Sequence, residues 1–180
     1  MNTVFWKEAY KNFWKQSGER EQKIKSLIEE LAGVKIQFSG LGSGSDEFIT
    51  GDAGSNGFEK GSADLWIEGT NIYLEITGPL SDNVTSKDSL WIRPDKIENA
   101  KNNFPEKRTL ILHCIDKENL IRVLILNEEF FRNFESGKYE IVTPFIRGRK
   151  EKYAAIKPDD SSIKPFALLI NSLQKIKMPL

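Results

Sequence analysis

The sequence predicts an α/β domain with a mixed central β-sheet flanked by helices. Three observations predict it. Short β-rich runs gather in the middle of the chain, between Asp64 and Leu126. Helical apolar stripes lie before and after them. A two-residue Gly69-Thr70 tip joins two of the runs, which reads as a β-hairpin.

The elements follow in order. Phe5, Trp6, Tyr10, Phe13 and Trp14 share one face of a helix over 3–16. Ser17-Gly18 is expected to interrupt it. A second helix is predicted over 19–32, where Ile24, Leu27, Ile28 and Leu31 step by threes and fours. Gly33 stands where a C-terminal capping glycine belongs. Val34 to Phe38 alternates like a strand. Residues 39–63 are rich in Gly, Ser and Asp; a connection of that length inside a compact domain is usually functional.

The hairpin 64–77 comes next, then a polar stretch over 79–90. Pro94 is tolerated in a first helical turn and opens a predicted helix at 95–103. Arg108–Ile115 and Leu120–Leu126 read as buried strands. A short helix at 128–136, a strand at 139–146 and a closing helix at 161–176 complete the chain. The expected organisation is a single domain over 1–180 with no internal repeat.

Bulk properties narrow the class. The chain is 39% hydrophobic and 29% charged, ordinary for a globular protein. No apolar run approaches the roughly 20 residues of a membrane span. The first residues mix aromatics with lysines and do not read as a signal-peptide core. A single cysteine, Cys114, forbids an internal disulfide and suits a reducing cytoplasm. One Cys and one His together argue against zinc. His113 and Cys114 sit inside a buried-looking strand and read as core, as do Trp6 and Trp14.

Net charge is zero but segregated. Residues 41–100 hold eleven acids and four bases, a net of −7; residues 145–180 hold eight bases and three acids, a net of +5. Such a chain can hold a cation in one place and a polyanion in another.

Asp64 and Glu75 carry the chemistry. They lie at the two open ends of the hairpin, so folding brings them together. Two adjacent carboxylates repel unless a cation sits between them, and hard oxygen ligands suit Mg²⁺ or Mn²⁺.

With the preceding motifs, this series resembles a family. Gly18-Glu19-Arg20-Glu21 opens a helix, a strand follows, and then comes the loop Gly40-Leu41-Gly42-Ser43-Gly44-Ser45. The hairpin supplies Ala63-Asp64-Leu65-Trp66 and Leu74-Glu75-Ile76-Thr77. The pattern resembles the core of the PD-(D/E)XK nuclease superfamily, and within it the archaeal Holliday-junction resolvases. The likeness covers 17–126, leaving 1–16 as an N-terminal helix and 127–180 as a C-terminal extension.

The resemblance implies a restriction-endonuclease-like core, a homodimer and metal-dependent hydrolysis of DNA, either junction-selective or restriction-like. Asp64, Glu75 and the Ile76 carbonyl would be the metal ligands. Glu19 matches the helix acid, although Glu21, on the same stripe as Ile24 and Ile28, competes for the inward position. Ser43 or Ser45 matches the loop serines that approach the scissile phosphate. The family's lysine, two residues after the second acid, is replaced by Thr77. Lys96 on the next helix is the chosen substitute, with Lys60 and Lys87 as alternatives and Arg93 as a further cation. Arg147, Arg149 and Lys150 form an expected phosphate-contact loop. The missing lysine also admits a rival: a catalytically inactive relative that binds nucleic acid or protein.

Overall fold

The computed structural model describes residues 3–39, 62–79, 81, 83–146 and 148–176, with side chains from Ser17 onward. Ser43, Ser45, Lys60 and Arg147 lie outside the described residues, and so do the side chains of Trp6 and Trp14.

Helix α1 runs unbroken over Thr3–Ala32, which corrects the expected interruption at Ser17-Gly18. One glycine inside a helix costs only about 1 kcal/mol relative to alanine. The buried stripe Ile24, Ile28 and Ala32 anchors the second half strongly enough to absorb it. Gly33, at φ +66°, ends the helix, and its N–H donates to the Glu29 carbonyl at 2.9 Å.

Strand β1 (Ile36–Phe38) pairs antiparallel with β2 (Leu65–Ile67), the first arm of the hairpin. Gly69 adopts φ +77° at the tip, and β3 (Ile72–Thr77) is the second arm. The short strand β4 (Leu90–Ile92) leads into helix α2 (Pro94–Asn103), whose first residue is Pro94 as expected. Strand β5 (Arg108–Ile115) runs parallel to β3. A single turn at 116–118 reverses the chain into the antiparallel partner β6 (Leu120–Ile125). Helix α3 (Glu128–Glu135) is capped by the Asn127 side chain, which accepts from the Phe130 N–H.

Two later expectations are corrected. The strand over 139–146 is split into β7 (Glu140–Val142) and β8 (Phe145–Ile146). Pro144 lies in the break, where it has no N–H to give to a ladder. The closing helix starts late: Ile163–Pro165 is strand β11, and α4 spans Phe166–Ile176. Pro165 biases Lys164 to extended backbone, and β11 is an edge strand, the position where proline is tolerated. The basic stretch after β8 folds back as β9 (Arg149–Lys150), followed by β10 (Tyr153–Ile156).

The result is a mixed six-stranded sheet in the order β1-β2-β3-β5-β6-β11, with helices on its faces. A separate three-stranded sheet, β4-β10-β7, was not foreseen. Two apolar cores result. One packs Ile24, Ile28 and Ala32 of α1 and Leu169, Ile170 and Leu173 of α4 on the Leu74–Leu112–Val123 face. The other packs α2, α3, β4 and β10 against Ile111 and Leu124 on the opposite face.

Candidate functional site

The hairpin's open end builds the site. Asp64 directly precedes β2, and its N–H donates to the Leu74 carbonyl at 3.1 Å. Its carboxylate Oδ2 accepts from the Ile76 N–H at 2.7 Å. Asp64 is therefore fastened to the residues on either side of Glu75. Within an antiparallel pair a residue's N–H and C=O leave the strand on the same edge, so the Ile76 carbonyl projects from the edge that Asp64 occupies. Leu74 and Ile76 face the first core, so the alternation turns Glu75 to the opposite face, toward α2.

Lys96, in the first turn of α2, meets it there. Its Nζ lies 2.8 Å from Glu75 Oε2 and donates to the Ser62 carbonyl at 3.2 Å. The pair is largely enclosed, with 18% of the Lys96 side chain and 12% of the Glu75 side chain exposed. Arg93 caps the same helix and pairs with Asp95 at 3.1 Å. Its charge also favours ionised Glu75.

Glu21 is the third acid. It is buried on α1, and its charge bears on both Asp64 and Glu75. Glu19, which the resemblance matched to this role, is exposed. Two residues turn a helix through about 200°, so the two acids cannot face the same way. The stripe that buries Ile24 and Ile28 takes Glu21 with it.

Burial and mutual repulsion hold this cluster away from ordinary acidity. Desolvation, then the neighbouring Glu75 charge, raises the Asp64 pKa well above the usual carboxylate range. Desolvation also raises Glu75, although Lys96 and Arg93 oppose it. Desolvation works against the Lys96 ammonium, but Glu75 and Asp64 together outweigh it and raise its pKa. Among the described residues no group of three or more His, Cys, Asp or Glu side chains is arranged to hold a metal ion on its own.

Other expected residues take varied positions. Thr77 ends β3 opposite His113 of β5. Lys87 is exposed in the turn before β4. Arg149 and Lys150 are exposed on the β8–β9 hairpin, and Arg149 Nε donates to Glu151 Oε1 at 2.6 Å.

No protein-family model matches the sequence, and no curated protein matches it. One similar solved structure is D212, a nuclease from a fusselovirus. It aligns with 87% of this chain and 91% of its own, at 18% identity and a TM-score of 0.48. A match that loose transfers neither residue roles nor an activity. No helix among the described residues is long and apolar enough to cross a membrane.

Sequence reasoning gave no role to a second polar layer beside the site. The Arg20 guanidinium donates to Asp116 Oδ2 from Nε at 3.2 Å and from Nη2 at 2.5 Å. Arg122 is buried beneath the 86–88 turn, where Nη1 donates to the Ser86 and Asp88 carbonyls at 3.2 and 2.9 Å. Its Nη2 lies 3.3 Å from His113 Nδ1, which then acts as the acceptor. Burial, then the Arg122 and Arg20 charges, pushes the His113 pKa down to about 3. The alternation of β6 places Arg122 inside the sheet, but nothing in the sequence names its partners.

Proposed function

We propose that this chain is a metal-dependent endonuclease of the PD-(D/E)XK type that hydrolyses DNA phosphodiester bonds. One observation carries the reading: at the open end of a hairpin Asp64 is hydrogen-bonded to the residues on either side of Glu75, with the Lys96 ammonium 2.8 Å from Glu75. The residues fit a divalent ion. Magnesium prefers one or two carboxylates and keeps its remaining positions for water and phosphate oxygens. Asp64, Glu75 and the Ile76 carbonyl are such a partial set. A bound Mg²⁺ or Mn²⁺ would supply a hydroxide near neutral pH and offset charge on the phosphate.

The chain's own groups have separate tasks. Asp64 and Glu75 present oxygens held by β2 and β3. Glu21 adds negative charge behind them and favours cation entry. Lys96 would take the part of the motif lysine that Thr77 lacks, its ammonium offsetting negative charge on the phosphate. Arg93 adds a cation at the same helix start. Arg149 and Lys150 hold the backbone of the DNA. Symmetric cutting of two strands favours a two-fold homodimer, which light scattering tests.

Cleavage of linear and branched DNA in Mg²⁺, Mn²⁺ and chelator is the experiment. Native protein is expected to cut only with a divalent ion, and Asp64→Ala to abolish cutting. Undiminished cutting by Asp64→Ala would overturn the site. Thr77 favours a second reading, an inactive relative that binds DNA; it predicts binding without cutting in either metal.

A further inference from the structure

The three-stranded sheet has one face that the core does not use. Leu90, Ile92, Ala154 and Ile156 point inward and are buried. Alternation therefore turns Trp91, Tyr153 and Ala155 outward. Ala155 is the Cα partner of Trp91. Trp91 and Tyr153 form a tilted pair with ring centroids 5.9 Å apart, and Trp91 remains 40% exposed. The Tyr153 hydroxyl donates to Glu151 Oε2 at 2.6 Å, which fixes the ring.

The chain beside this face is basic in sequence: residues 145–156 carry four bases and one acid, and that acid, Glu151, is engaged by Arg149 as well as Tyr153. Exposed Phe145 is the Cα partner of Lys150 on the β8–β9 hairpin. Two residues beyond Trp91 stands Arg93, whose charge reaches Glu75. Glu140 opposes the pattern: it is the Cα partner of Ala155 on β7, in the same cross-strand row as Trp91.

We propose that this outer face, centred on Trp91 and Tyr153, is a stacking platform for unpaired nucleotides of single-stranded DNA. The substrate class rests on the nuclease reading above. In a duplex the base faces are hidden in the stack, so an exposed aromatic pair offers them nothing. An unpaired base has a free π-face, and flanking cations track its phosphates. Trp91 leads through Arg93 into the helix that carries Lys96, which connects this face to the site along the chain.

The test is fluorescence anisotropy in EDTA with labelled oligodeoxythymidylate and a duplex of equal length. Native protein is expected to bind the single strand more tightly. Trp91→Leu keeps apolar bulk without an indole face and is expected to weaken that binding about tenfold or more. Trp91→Phe is expected to retain most of it. Ala155→Glu, which adds a second carboxylate opposite Glu140 on the outer face, is expected to weaken it as well. Native-like single-strand affinity in Trp91→Leu and Ala155→Glu would overturn the proposal, as would equal loss on duplex. Concentration-dependent dimerisation that Trp91→Leu abolishes would assign the face to a second copy and overturn it. The two readings fail separately. Trp91-dependent binding without any metal-dependent cutting removes the nuclease and keeps the platform. Asp64-dependent cutting with unchanged single-strand affinity in the variants does the reverse.

Discussion

Lys96 and Glu75 each make the other's burial tolerable. Removing one partner leaves an uncompensated charge, which is worse than removing both. Lys96→Met is therefore expected to destabilise the fold by about 1–3 kcal/mol, the lower range for a buried pair because both side chains keep some solvent. Adding Glu75→Gln to that protein is expected to recover most of the loss. Chemical denaturation of the native protein, both single variants and the double variant measures the coupling. His113 gives a second residue-scale expectation. Its pKa falls from 6.5 unfolded to about 3 folded, so the folded state holds it neutral. Above pH 6.5 both states are neutral and the group adds no pH dependence. As pH falls, the unfolded chain takes up the proton first, and stability declines with a slope approaching about 1.4 kcal/mol per pH unit. Denaturation between pH 6.5 and 5 is expected to show this decline, and His113→Gln to flatten it. At this scale Asp64 and Glu75 were legible, because a hairpin brings its open ends together whatever surrounds it. Glu21 was legible as a competitor because it shares the stripe of Ile24 and Ile28; only the resemblance favoured Glu19. His113 was legible as buried, but its partner Arg122 was not, because their contact depends on how β5 and β6 register.

Among the elements, the exit of β3 shows how closely the site's strand is held. A Cβ on Gly78 would come within 2.5 Å of the Cys114 carbonyl and 2.9 Å of Arg20 Nη1. The carbonyl belongs to β5 and cannot swing away, while Arg20 is tied to Asp116. Gly78→Ala is expected to push β3 from β5 and destabilise the fold by about 1–3 kcal/mol, the usual penalty for overpacking. For a chain of this size that lowers Tm by about 2–4 °C per kcal/mol, readable by calorimetry. Thr77 would move with it, so cutting is expected to fall beyond what stability explains. Long periodic elements were legible in sequence: β5, α2 and the hairpin. Short ones were not. Leu90-Trp91-Ile92 is too brief to show alternation within a polar stretch, and its partner β10 follows sixty residues later. The second sheet is therefore a product of tertiary pairing. So is the start of α4, where pairing with β6 takes three residues from an apolar stripe that reads as helix.

Across the whole molecule, the segregation of charge makes a prediction about metal and DNA together. The acidic centre, at −7 over 41–100, contains the proposed metal ligands, and the basic segment, at +5 over 145–180, contains the proposed phosphate contacts. Without a divalent ion, burial first, and for Asp64 the neighbouring Glu75 charge second, already disfavour the ionised carboxylates, and a phosphate brought there would add negative charge. For a purely basic binder, Mg²⁺ weakens DNA binding by competing for phosphates, as other salt does. Here the sign is expected to reverse at low concentration. A non-cutting divalent ion such as Ca²⁺, added at constant ionic strength, is expected to tighten DNA binding by neutralising the acidic cluster before competition dominates. The double variant Asp64→Asn, Glu75→Gln removes the repulsion by substitution instead. It is expected to bind DNA more tightly than native protein in EDTA and to gain nothing from Ca²⁺. Binding curves for the two proteins with and without Ca²⁺ decide the matter. If Ca²⁺ weakens binding equally in both, the acids do not face the DNA backbone, and the basic hairpin acts without them.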